Sequence, residues 1–206
     1  MKSHLTVFVI ALILLPAWLS PGAAAGGVPT DQIKTTVDKA LVVLRDPRFK
    51  PAAKTKERRD QLRQILFARF DFTEMARRAL GANWRRRTAQ EQEEFVRLFT
   101  ELLERAYTDT IESYTDEKII YVGEKQDGNY AEVNSKILTS KGQEFTIDYK
   151  TQVVAGEWKV YDVVVENISM VNNFRSQFNR VINNNSYEEL VRRLREKQAD
   201  FHPPKK

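Results

Sequence analysis

Apolar residues recur at helical spacing at both ends of the chain and at every second position in its middle. Thr30 reads as an N-cap. Ile33, Val37, Ala40, Leu41 and Leu44 follow at helical spacing until Asp46-Pro47 ends the run. A second helix is expected over Thr55–Ala68, with Leu62, Ile65 and Leu66 inward and Lys56, Arg58, Arg59 and Arg63 in water. Phe70, Phe72, Met75, Ala76 and Leu80 predict a short third helix stopped at Gly81. The longest periodic segment starts at Thr88, whose spacing to Glu91 is that of a capping box. Phe95, Leu98, Phe99, Leu102, Leu103, Ala106, Tyr107 and Ile111 form one broad stripe. Ala89–Ser113 should therefore be a helix roughly 37 Å long.

The period then falls to two. Lys118–Val122 reads as a short strand and Asp127-Gly128-Asn129 as a turn. Tyr130–Thr139 follows, with Ala131, Val133 and Ile137 opposite Glu132, Asn134 and Lys136. Beyond Lys141-Gly142 a third strand puts Phe145, Ile147, Tyr149, Thr151 and Val153 on one face. After Ala155-Gly156 comes Trp158–Glu166, apolar on both faces. Helical spacing returns with Met170, Val171, Phe174, Phe178, Val181 and Ile182. It resumes with Tyr187, Leu190, Val191 and Leu194 after a break at Asn183–Ser186. Half-polar strands with short connections argue an antiparallel meander and exclude a doubly wound parallel sheet. The expected fold is α+β: a single domain with a twisted antiparallel sheet of about four strands, helices lying against its apolar face.

The first residues stand apart from this pattern. Lys2, the apolar run Leu5–Leu15 and the small residues Ala23-Ala24-Ala25 have the layout of a secretory signal peptide, residues 1–25, cleaved before Gly26. Pro16, Pro21 and Gly22 interrupt the run, which is too short to span a bilayer. The folded, exported domain is then residues 26–206.

Composition narrows the chemistry. The chain has no Cys, and its only His residues are His4 and His202, one in the leader and one in the tail. Thiolate nucleophiles, disulfides, Cys or His metal sites and His-based triads are thereby removed, and no catalytic or metal-binding group is expected. No Gly-rich phosphate loop is present. The net charge of +5 comes with several Arg clusters, but a secretory leader argues against nucleic acid as partner. Arg85-Arg86-Arg87 has the fewest acids beside it. It reads either as a solvated loop or as a docking patch for an acidic partner or anionic headgroups. Asp162, set between Tyr161 and Val163 in the most apolar strand, needs a partner and is expected to be structural. The abundant large apolar residues fit either a packed core or a cavity enclosed between the long helix and the sheet.

Two blocks resemble the toluene-tolerance family, the periplasmic lipid-binding component of the maintenance-of-lipid-asymmetry (Mla) transport system. The first is FDFTEMARRALGANW, Phe70–Trp84, followed by the long helix. The second is WKVYDVVVENISMVNNFRSQF, Trp158–Phe178. Asn167 stands where the family usually has Gly, and Asn is the residue best suited to keep a positive φ there. The resemblance implies a non-enzymatic carrier with bound phospholipid as cargo and no cofactor. Its implied partners are an inner-membrane ABC transporter with a substrate-binding ring and an outer-membrane lipoprotein/porin complex, with only transient membrane contact. The apolar pocket expected from it, combined with the periodic faces, draws on Phe95, Phe99, Leu103 and Tyr107 of the long helix. Ile137, Ile147, Tyr149, Val163 and Val165 of the strands, and Phe174 and Phe178 of the C-terminal helix, complete it. Two other readings stay open. One is a cone-like α+β enzyme acting on a small hydrophobic substrate, for which only Asp162, Tyr149 and Tyr161 could serve; the other is a secreted adaptor protein.

Overall fold

The computed structural model describes residues 28–114, 117–197, 201 and 203. The expected signal peptide and His202 therefore lie outside the described residues. Helices α1 (Val28–Arg45), α2 (Thr55–Phe67), α3 (Phe72–Leu80) and α4 (Ala89–Glu112) precede the sheet, and α5 (Met170–Asn184) and α6 (Tyr187–Arg195) follow it. The capping box of α4 forms: Glu91 N–H donates to Thr88 Oγ1 at 3.2 Å and Thr88 N–H to Glu91 Oε2 at 2.7 Å. Thr30, in contrast, is not a cap. It lies inside α1, buried, and its N–H and hydroxyl both donate to Glu124 Oε2, at 2.9 and 2.5 Å. A carboxylate from the sheet thus satisfies donors that a local cap would otherwise have to serve.

The strands β1 (Lys118–Asp127), β2 (Tyr130–Leu138), β3 (Glu144–Val154), β4 (Glu157–Val165) and β5 (Ile168–Ser169) form one antiparallel meander in chain order. Expectation and structure differ in two places. The described sheet has five strands where about four were expected. Glu166 and Asn167, at φ 48° and 64°, make a two-residue hairpin turn that returns Ile168–Ser169 against Val164–Val165. Positive φ at both turn residues is what a type I′ connection needs, and Asn167 supplies it without glycine. A two-residue strand is too short to show a period. β1 also runs five residues past Val122, through a bulge between Tyr121 and Gly123. That bulge resets the alternation and sets Glu124 opposite Val133, on the face that meets Thr30.

The main core joins α1, α3, α4, α5 and α6 to β2 and β4, with Phe201 of the tail inserted as well. A smaller core is separate. Ala40 and Val43 of α1, Phe49, and Leu62 of α2 form it, with Ile111 of α4 alongside. Around it, α2 is tied to α4 by ion pairs, Arg58–Glu112 at 2.8 Å, Arg59–Glu112 at 2.7 Å and Arg63–Glu104 at 3.2 Å.

Candidate functional site

Strand register places all five candidate strand residues on one face. Val133, Tyr149 and Val163 lie side by side across β2, β3 and β4; Ser135, Ile147 and Val165 form the next row, and Ile137 lies opposite Phe145 beyond it. Tyr121 of β1 extends the middle row, opposite Ser135. Phe95, Phe99, Leu103 and Tyr107 recur every fourth residue of α4, which puts them on one stripe.

The candidate residues then divide into two groups. Phe95, Phe99, Phe174 and Phe178 are fully buried, at 0% exposure, and pack on one another. Phe99 meets Phe174 and Phe178 edge-on, both at 5.6 Å between ring centres, and Phe178 meets Phe201 at 5.2 Å. Edge-to-face rings at such distances are close-packed aromatic core. Tyr107, Ile147, Tyr149 and Val165 are only partly buried against that core, while Leu103, Ile137 and Val163 are buried between the two conditions.

Tyr121 belongs with the second group, and the sequence pattern alone does not identify it. Ile119 and Tyr121 alternate with Lys118, Ile120 and Val122, so the sequence offers an apolar residue on either face and no way to choose between them. Ile120 and Val122 are in fact the exposed ones. A cleft of about 560 Å³ opens between the start of α1 and the start of β1, lined by Thr30, Asp31, Lys34, Lys118, Ile119, Ile120 and Tyr121. Tyr121 therefore connects the outside to the interior face.

The hydroxyls of this group are unusual. Among the described residues, Tyr107 and Tyr121 each bury a side-chain oxygen that has no hydrogen-bond partner. Buried polar groups without partners are rare in folded proteins, because each forfeits its hydration. Burial raises the pKa of both phenols, so each keeps its proton. Tyr149 lies in the neighbouring row, beside Ser135, whose hydroxyl donates to the Ile147 carbonyl at 2.7 Å. Burial pushes the Tyr149 phenol up to about 12.

Asp162 takes the structural part expected of it. Its carboxylate accepts from Ser169 Oγ at 2.5 Å and from Val171 N–H at 3.0 Å, joining β4 to the start of α5. The two sequence blocks that carried the resemblance are likewise scaffold, and they meet each other. Phe70 bridges Val160 in parallel, with Asp71 N–H donating to Val160 O at 2.8 Å. Arg175 Nε donates to Arg78 O at 2.7 Å, and its side chain covers Gly81, which at φ 58° and ψ −129° is in a conformation open to glycine. Buried Glu74 is held between Arg77 and Arg78. Burial opposes its charge, yet the two guanidinium groups keep its carboxyl below the ordinary range. Among the described residues no group of three or more His, Cys, Asp or Glu is arranged to hold a metal ion, and no helix is long and apolar enough to cross a membrane.

The Arg triplet is split by the fold. Arg85 and Arg86 end the short 3-10 segment Gly81–Arg86 and are exposed. Arg87 turns back on the body of the protein. It lies over the Tyr187 ring at 4.4 Å and faces Glu91 and Glu188 at 3.5 and 3.8 Å.

Comparison with known proteins agrees with this architecture. The chain is 26% identical over 124 residues to the intermembrane phospholipid transport system binding protein MlaC of Haemophilus influenzae, an alignment covering 58% of each chain. It is 26% identical over 169 residues to the toluene tolerance protein ttg2D of Pseudomonas putida, covering 81% of this chain and 78% of that one. Among solved structures, it is similar to a phospholipid-binding protein from Ralstonia solanacearum in complex with a phospholipid. That likeness has a TM-score of 0.73 and 25% identity, over 85% of this chain and 99% of the other. A family model described as MlaC protein matches residues 34–196, most of the chain, and on that match the chain belongs to the MlaC family.

Proposed function

We propose that this protein is a periplasmic phospholipid carrier which holds acyl chains between α4 and the inner face of the sheet. The observation that supports the reading is the division of that face. Beyond the packed phenylalanines, an apolar wall of Tyr107, Tyr121, Ile147, Tyr149 and Val165 is only partly covered and retains unsatisfied hydroxyls. Acyl chains lie along this wall, the buried Leu103, Ile137 and Val163 back it, and Phe95, Phe99, Phe174 and Phe178 close its far end. The headgroup stays toward solvent at the cleft beside Tyr121. The proposal extends to this chain the ligand found with the Ralstonia protein and the transport system named for the Haemophilus one.

Physical chemistry favours a carrier with no catalytic group. Exposing about 30 methylenes of two acyl chains to water would cost on the order of 24 kcal/mol. Transfer from bilayer to pocket exchanges one apolar setting for another, so a small difference sets the direction. The partners are an inner-membrane ABC transporter with a substrate-binding ring and an outer-membrane lipoprotein/porin complex, met through the exposed Arg85 and Arg86. Native mass spectrometry of protein taken gently from cells tests the central point. Adducts of glycerophospholipid mass are expected. Protein that is wholly apo, and takes up no labelled lipid from vesicles, would refute the reading.

A further inference from the structure

We infer that the hydroxyls of Tyr107 and Tyr121 are hydrogen-bond donors to the ester carbonyls of a bound diacyl lipid, and so make the site selective for ester-linked over ether-linked chains. The inference rests on the carrier reading and specifies which part of the lipid the polar atoms of the pocket recognise.

Three observations lead to it. The two oxygens are buried without a partner in an otherwise apolar setting, so the folded protein carries two donors that a ligand could satisfy. They also come from opposite sides of the proposed chain-binding space. Tyr107 continues the Phe99–Leu103 stripe of α4, and Tyr121 sits on the inner row of the sheet beside Ser135 and Ile147. Finally, the buried surroundings of the two hydroxyls carry no cation: among the described residues no Lys or Arg is buried, and the lysines nearest Tyr121, Lys34 and Lys118, line the outer cleft. A phosphate drawn in to these hydroxyls would give up its hydration and find no buried cation to compensate it. A neutral acceptor needs no such cation. In a phospholipid the neutral acceptors are the two ester carbonyls, at the junction of headgroup and chains. Tyr121 is also the residue that lines both the outer cleft and the interior, which is where that junction must lie if the headgroup remains outside. Tyr149 is not one of the pair, because its oxygen is not among the buried atoms left without a partner.

The test is a competition. Purified protein, stripped of lipid, is loaded from vesicles containing equal amounts of diacyl phosphatidylglycerol and its dialkyl ether analogue of the same chain length. The bound ratio is then read by native mass spectrometry. Wild type should favour the ester lipid by about fivefold for one engaged hydroxyl, and by more for two. The Tyr107→Phe/Tyr121→Phe double variant should lose this preference, its bound ester-to-ether ratio falling toward one. A merely structural role for the hydroxyls would leave the bound ratio unmoved. Equal ratios in wild type and variant therefore overturn the inference and leave the carrier reading standing. Failure of wild type to bind either lipid overturns the carrier reading and this inference with it.

Discussion

The two ends of the α4 stripe are built from similar residues and packed in different ways. At the N-terminal end, Phe95 and Phe99 meet Phe178 ring against ring, Phe174 and Phe201 pack around it, and the one hydroxyl at the edge, that of Tyr187 beside Phe95, donates to Glu91 O. At the C-terminal end, Tyr107 is only partly buried against the core, as are the strand residues Tyr121, Ile147, Tyr149 and Val165, and the hydroxyls of Tyr107 and Tyr121 find no partner. One helix thus contributes to a dry aromatic core over its first half and to an incompletely satisfied surface over its second. The contrast separates residues that hold the fold from residues free to serve a ligand. An aromatic at helical spacing says which face is inward, and only its neighbours decide between the two roles.

The largest effect that would break this contrast lies at the packed end. Phe178→Ala should lower unfolding free energy by about 3–5 kcal/mol, because Phe178 touches Phe95, Phe99, Phe174 and Phe201 and the space cannot collapse. Denaturant titration of the lipid-free protein measures it. A loss below about 1 kcal/mol would mean that this end is as loosely filled as the other. At the open end the sign reverses. Tyr107→Phe and Tyr121→Phe should each stabilise the lipid-free protein by about 1 kcal/mol, since each removes a buried donor with nothing to bind. Lipid-loaded protein should not show that gain.

The smallest effect on stability belongs to the exposed arginines. Arg85→Gln/Arg86→Gln should leave unfolding free energy within about 0.5 kcal/mol of wild type. It should slow lipid transfer to acceptor membranes, most at low ionic strength, because encounter charges are screened over about 8 Å at physiological salt. Transfer rates measured against salt decide the point, and parallel curves for wild type and variant would remove the docking role. Arg87→Gln should behave differently and lower stability, because Arg87 is packed against Tyr187.

Much of the scaffold was legible in the sequence. The α4 capping box, the α3 stop at Gly81 and the β3–β4 hairpin at Ala155-Gly156 all rest on local chemistry, and local chemistry is what a single sequence displays. The features that escaped are set by tertiary partners. Thr30 looks like a cap until Glu124 arrives from a strand 94 positions away. Tyr121 could face either way until the bulge fixes its side, and β5 exists only because Glu166 and Asn167 turn the chain back onto Val164 and Val165. Periodicity groups the Phe and Tyr candidates together, and only packing tells them apart. Adjacency alone groups Arg87 with Arg85 and Arg86, whereas its partners Glu188 and Tyr187 lie about a hundred residues on.

The separate small core beneath α2 has a consequence for motion. Only Ala40, Val43, Phe49 and Leu62 are buried there, and the remaining ties to α4 are partly exposed arginine–carboxylate pairs. Contacts of this kind confer a local unfolding free energy well below that of the whole domain. In α2 the backbone amides should therefore exchange with solvent deuterium through excursions that leave the phenylalanine cluster intact, whereas those of α5 should wait for global unfolding. Acid should speed these excursions. The Arg59 hydrogen bond holds the Glu112 carboxyl below its ordinary 4.5, so the contribution of the clamp is complete above that value and fades as pH falls beneath it.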